Sequence, residues 1–262
     1  MEADLLGGLL AISAAIFFAI RVILVRKATV TGRPVDAVTV ALWIGLLVFL
    51  PLSVILYWPD FGLTRTSIIT FIGTGLSGNF FGLICYYEGT KRVGASRTVS
   101  ISTGRLLVAT FLSIIFLKEP FTIPHLLGIF ILTFGITVVS REMKGDSSGV
   151  TGGSNLDFLL PFGAMVFFGL TGFLIKVGLS EGTPVYVGLS IHFSSALLVL
   201  TILSAWRGNF PLRILKTEER FLYIAAGITY VLALIFVWSG LNLTDVIIAY
   251  PLRSLSLTHI FC

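Results

Sequence analysis

Apolar runs of about twenty residues, separated by short polar breaks, follow one another along the whole chain. An α-helix needs roughly 20 apolar residues to cross the hydrocarbon core of a bilayer. By that measure the pattern predicts nine spans, at 5–26, 36–57, 67–89, 93–117, 123–140, 157–178, 184–206, 219–240 and 244–262. The connections are short except at 141–156, where the run SSGVTGGSN reads as a flexible linker. The fourth run departs from the pattern. It carries Arg105 twelve residues from either end, roughly 18 Å along a helix. A guanidinium at that depth must face protein or a wet interior, because lipid does not solvate it.

Composition strengthens the membrane reading. The chain is 56% hydrophobic and 12% charged, with a mean hydropathy of +0.99, whereas soluble domains carry roughly a quarter charged residues. The class is therefore an all-α polytopic membrane helix bundle, placed in the cell membrane. The net charge of +5 does not indicate nucleic acid, because the basic residues sit in short loops between spans rather than along one stripe. Cys85 and Cys262 give no disulfide framework. The start, Met-Glu-Ala-Asp, lacks a basic leader region, so the first apolar run reads as a retained helix.

An internal repeat divides the chain. A shift of 150 residues places Phe17-Phe18 on Phe167-Phe168, Arg26 on Lys176 and Pro34-Val35 on Pro184-Val185. One further residue of shift places Leu83-Ile84 on Leu234-Ile235 and Gly89 on Gly240. The units are 5–140 and 157–262, joined by the linker 141–156. Five spans is an odd number, so the two units enter the membrane in opposite senses, the architecture in which carriers place a site between halves. The register predicts that the second unit is incomplete, about 29 residues short of the first. Loops after spans one, three, five and seven hold eleven Lys and Arg, against Arg65, Lys118 and Lys176 on the other side. That count expects the first set in the cytoplasm and the N-terminus outside.

The stretch YYEGTKRVGAS followed by FLKEPFTIPHLLGIFILTFGITVVS, and its partner WSGLNLTDVIIAYPLRSLSL, resemble the EamA repeat of the drug/metabolite transporter superfamily. Leu117, Glu119, Thr122, Gly128 and Gly135 occupy the repeat's L-G-E, threonine and glycine positions, with Lys118 standing where the family carries glycine. The resemblance implies a transporter with a small-molecule substrate, a coupling proton, ten spans and both ends in the cytoplasm.

Candidate site residues follow from charge at depth. Arg105 reads as a cavity cation for an anionic group or as half of a structural ion pair. Arg253 lies three residues before Ser256, the repeat partner of Arg105, and two half-sites each offering a guanidinium suit a carboxylate or phosphate. Arg21 and Arg97 read as snorkelling side chains, and Lys176 as a topogenic charge. Glu88 is a proton-coupling carboxylate or an interfacial partner of Lys91-Arg92. Asp245 reads as a helix cap and Glu119 as a turn acid. His192, mid-span among Ser194 and Ser195, is a proton relay or a satisfied buried side chain. Trp238, Tyr250, Tyr86 and Tyr87 line a cavity or form interface belts.

Two strings imitate soluble motifs. Residues 73–78 fit G-x-G-x-x-G but lie inside a span with no strand before them, so close helix packing is expected. Residues 178–182 fit G-x-S-x-G without a strand-to-helix elbow. The chain shows no P-loop, H-E-x-x-H or C-x-x-C. No cofactor is therefore expected, and no enzyme. The expected function is secondary-active transport of a small organic metabolite, anionic or amino-acid-like, by alternating access. The alternative is an inactive remnant, or a subunit completed by a partner helix.

Overall fold

The computed structural model describes residues 2–28, 34–119, 155–206 and 219–254, with residues 123, 127, 128, 130, 131, 134, 135 and 138. Seven of the predicted spans appear as helices long and apolar enough to cross a membrane. They are Ala3–Ala28, Val35–Tyr57, Arg65–Thr90, Arg97–Leu117, Leu156–Ser180, Val185–Trp206 and Arg220–Leu243. Most of the predicted fifth span, most of the linker, and the ninth span beyond residue 254 lie outside the described residues.

Taken by element, the chain forms α1 (Glu2–Ala28), α2 (Pro34–Tyr57) and α3 (Arg65–Thr74). A π-helical segment (Gly75–Gly82) continues α3 into α4 (Leu83–Val93). After Gly94 come α5 (Ala95–Thr103) and α6 (Arg105–Leu112), broken from each other at Gly104. The second half holds α7 (Leu159–Ser180), α8 (Val185–Trp206), α9 (Arg220–Leu243) and the short α10 (Val246–Ser254).

Local chemistry sets several of these ends. Thr64 caps α3 by accepting the Ser67 amide at 3.0 Å, while the Ser67 hydroxyl accepts the Thr64 amide at 2.9 Å. That is a capping box with serine in the usual acidic position. Lys118, at the expected glycine position, closes the fourth span with φ 54°. This is the left-handed conformation that glycine adopts without a steric penalty.

Large apolar side chains such as Ile55, Phe111 and Phe116 project outward, as lipid-facing residues do. Between helices the contacts are small. A Cβ at Gly75 would strike Ser195 and the His192 carbonyl, and one at Gly78 would come within 3.0 Å of the Thr171 hydroxyl. The G-x-G-x-x-G string thus packs α3 and its π continuation against α7 and α8. α1 packs along α9, α3 and α4 pack along α7, α2 packs on α8, and α10 packs on α1.

Candidate functional site

The break at Gly104 sets Arg105 at the start of α6, and a Cβ at Gly104 would meet the Met165 side chain. Arg105 there faces a cavity of about 510 Å³. The cavity wall draws on α1, the π segment, α4, α5, α7, α8, α9 and α10. Of the sequence candidates, Arg105, Arg253, Tyr86, His192, Trp238 and Tyr250 all line it, and so does Tyr87.

Glu88 does not. It pairs with Arg92 at 3.4 Å, and Arg92 reaches Asp157 at 3.3 Å, in an exposed cluster. Its position is that of the interfacial partner. Arg97 is exposed at the start of α5. Ser256, the repeat counterpart of Arg105, lies outside the described residues.

Arg21 is a correction. Rather than snorkelling, its guanidinium lies 3.9 Å above the Tyr230 ring in the cavity wall. The signal was present in the sequence: Phe18, Arg21, Val22 and Val25 recur at helical spacing and share one face. Asn79 and Tyr230 were also missed. An amide within the apolar π segment is a mid-membrane polar group of the kind that marks sites.

These residues form a continuous chain of hydrogen bonds. Tyr230 donates to Asn79 Oδ1 at 2.8 Å, and Asn79 Nδ2 donates to His192 Nε2 at 2.9 Å. Nε2 is therefore an acceptor, and Nδ1 carries the proton toward Thr74 Oγ1 at 2.9 Å. Thr74 in turn donates to the Phe71 carbonyl at 2.7 Å. Every polar atom of His192 is satisfied in its neutral form.

The arginines are treated differently. Arg253 lies 4.6 Å from the Phe18 ring and 5.2 Å from Tyr250, and Arg105 lies 5.9 Å from Phe168. Among the described residues no carboxylate pairs with Arg21, Arg105 or Arg253, and none lines the cavity. Trp238 is fully buried in the wall with its indole N–H unpartnered.

The cavity lining extends to Arg26 and Thr90, near the ends of α1 and α4. The opposite face is tied by cross-links between elements. Thr183 donates to the Gly62 carbonyl at 2.7 Å, and Thr244 to Asp4 at 3.0 Å. Lys176, read from the sequence as a topogenic charge, donates to the Leu241 and Thr244 carbonyls at 2.9 and 2.7 Å, capping the C-terminal end of α9. Glu119, expected to act within its own turn, accepts the Val246 and Ile247 amides at 3.0 and 3.2 Å. It supplies the carboxylate at the start of α10 that Asp245 was expected to supply. Burial pushes the Glu119 carboxyl above its ordinary range. The Val246 and Ile247 amides pull it back, Asp245 raises it and Lys176 lowers it.

Comparison with known proteins gives the family. No curated protein matches the chain. Among solved structures 18 chains match. One, titled "Crystal structure of protein", superposes with a TM-score of 0.72 at 17% identity, covering 99% of this chain and 86% of its own. At that identity the likeness shows the fold. The model of the EamA-like transporter family matches residues 5–141, just over half of the sequence. The chain is a multi-pass integral membrane protein and belongs to the EamA-like transporter family.

Proposed function

We propose that the chain is a secondary-active carrier of a small organic solute, working by alternating access around the arginine-lined cavity. One observation carries this reading: a cavity inside the helix bundle that holds guanidiniums from both halves of the chain and whose lining extends to the ends of α1 and α4. Arg21 and Arg105 come from the first half and Arg253 from the second.

The helix pairing supports an inverted repeat. The first span of the first half packs on the third span of the second, and the third span of the first half packs on the first span of the second. The second spans pack on each other. Exchanging the halves leaves these contacts unchanged, which suits rocking of one half against the other. A coupling proton belongs to the same reading. The loop charges, and the basic end of α1 beside the cavity lining, favour a mouth that faces the cytoplasm.

The test is uptake into sealed vesicles reconstituted with purified protein. Uptake is expected to saturate without ATP and to be abolished by Arg105→Ala. Undiminished flux in that variant would remove Arg105 from the site.

A further inference from the structure

We infer that the solute is an organic dianion, a dicarboxylate or a phosphate monoester, and that zwitterionic solutes such as amino acids are refused. This rests on the carrier reading above and narrows it to a substrate class.

Ring contacts link the three arginines, unpaired among the described residues, in a row. Arg21 stacks on Tyr230, whose ring is 6.2 Å from that of Phe18. Arg253 stacks on Phe18 and also neighbours Tyr250. The Tyr250 hydroxyl donates at 3.0 Å to the carbonyl of Phe168, whose ring is the neighbour of Arg105. In that run of contacts Arg253 comes between Arg21 and Arg105.

Stacking attracts a guanidinium without neutralising it, and leaves its edge N–H groups for a carboxylate or phosphate. One negative charge at one end of such a row leaves the far guanidinium unmatched. Two charges separated by a short carbon body match it.

Among the described residues the rest of the wall adds no anion. The Trp238 N–H has no acceptor and is a donor only. His192 is neutral and fully partnered. The Tyr230 and Tyr250 hydroxyls are spent on Asn79 and Phe168. An ammonium group would therefore lie beside three like charges, with no aspartate or glutamate among the described residues of the lining. Rings of Phe18, Phe168 and Tyr86 supply an apolar wall for the carbon body. The volume of about 510 Å³ falls in the range of small-molecule sites.

Binding is measured by calorimetry on the purified full chain in detergent. The probes are succinate, glycerol 3-phosphate, butyrate and alanine. At least one dianion is expected to bind about tenfold or more tighter than butyrate or alanine, as paired charge-assisted contacts require. If glycerol 3-phosphate is that ligand, its affinity rises as the pH passes the second phosphate ionisation near about 6. Arg253→Gln and Arg105→Gln each weaken the dianion about tenfold, and the lysine variants recover part of the loss. Ligand-free melting of each variant reports whether it is folded, and competition among probes on the unaltered chain decides the point if a variant is not.

Alanine or butyrate binding as tightly as both dianions overturns the inference, as does failure of both dianions to bind folded protein. Dianion binding without flux in vesicles would sink the carrier reading and leave the ligand class standing. Saturable alanine flux that neither dianion inhibits would do the reverse.

Discussion

Replacing His192 tests the chain of hydrogen bonds that runs through it. The imidazole is buried, and both nitrogens are engaged by Asn79 and Thr74. In His192→Phe the Asn79 amide loses its acceptor inside the bundle. Leaving a buried donor unmade costs roughly 1–3 kcal/mol, so melting in detergent is expected at a lower temperature. Unchanged melting would show that water replaces the ring. Lys118 offers the opposite change. Its φ of 54° costs a side-chain-bearing residue about 1 kcal/mol or more, so Lys118→Gly is expected to raise the melting temperature. At this scale the sequence exposed Arg105 because a charge twelve residues deep in an apolar run has no bland environment. It hid Arg21, since distance from a helix end says nothing about which way the side chain turns. Glu119 and Lys176 were legible as residues but not in their roles, because their partners lie more than sixty positions away in the chain.

Among the elements, α10 depends most on a distant group. Its first two amides are held by Glu119, a carboxyl that burial keeps above its ordinary range. The folded protein holds that proton more tightly than the unfolded chain does. The stabilisation from this group is therefore complete below the ordinary value of 4.5 and fades as the pH climbs through the raised one. Melting followed against pH is expected to decline over that window, and the decline is expected to flatten in Glu119→Gln. An equal slope in both proteins would assign it to other groups. Hydropathy located the seven spans to within a few residues of their ends, since burying backbone in lipid demands long apolar helices. It missed the π segment at Gly75–Gly82 and the break at Gly104. Both are changes of hydrogen-bond register, to which apolar periodicity is blind. Both also supply cavity-wall residues, as π-bulges often do at functional sites.

For the whole molecule, the proposed one-sided opening of the cavity makes a sided prediction. Thr90 lines it near the end of α4. Thr90→Cys, in a background lacking Cys85 and Cys262, is expected to react with a membrane-impermeant thiol reagent from the α4-end face only. Saturating solute should slow the reaction. Equal labelling from both faces would mean that the opposite side is not closed. The exchange of partners between halves was not legible from hydropathy. It needs the three-dimensional pairing of α1 with α9 and of α3 with α7. The short helix α10 then has a mechanical meaning. Its nine residues make a rod roughly 13 Å long. Glu119 fastens one end, and Arg253 stands at the other beside the place where the solute would rest. In the proposed carrier such a rod would act as a lever: an anion drawing Arg253 inward would load the Glu119 fastening at the other end, so that arrival of cargo and release of the latch would be two ends of one movement.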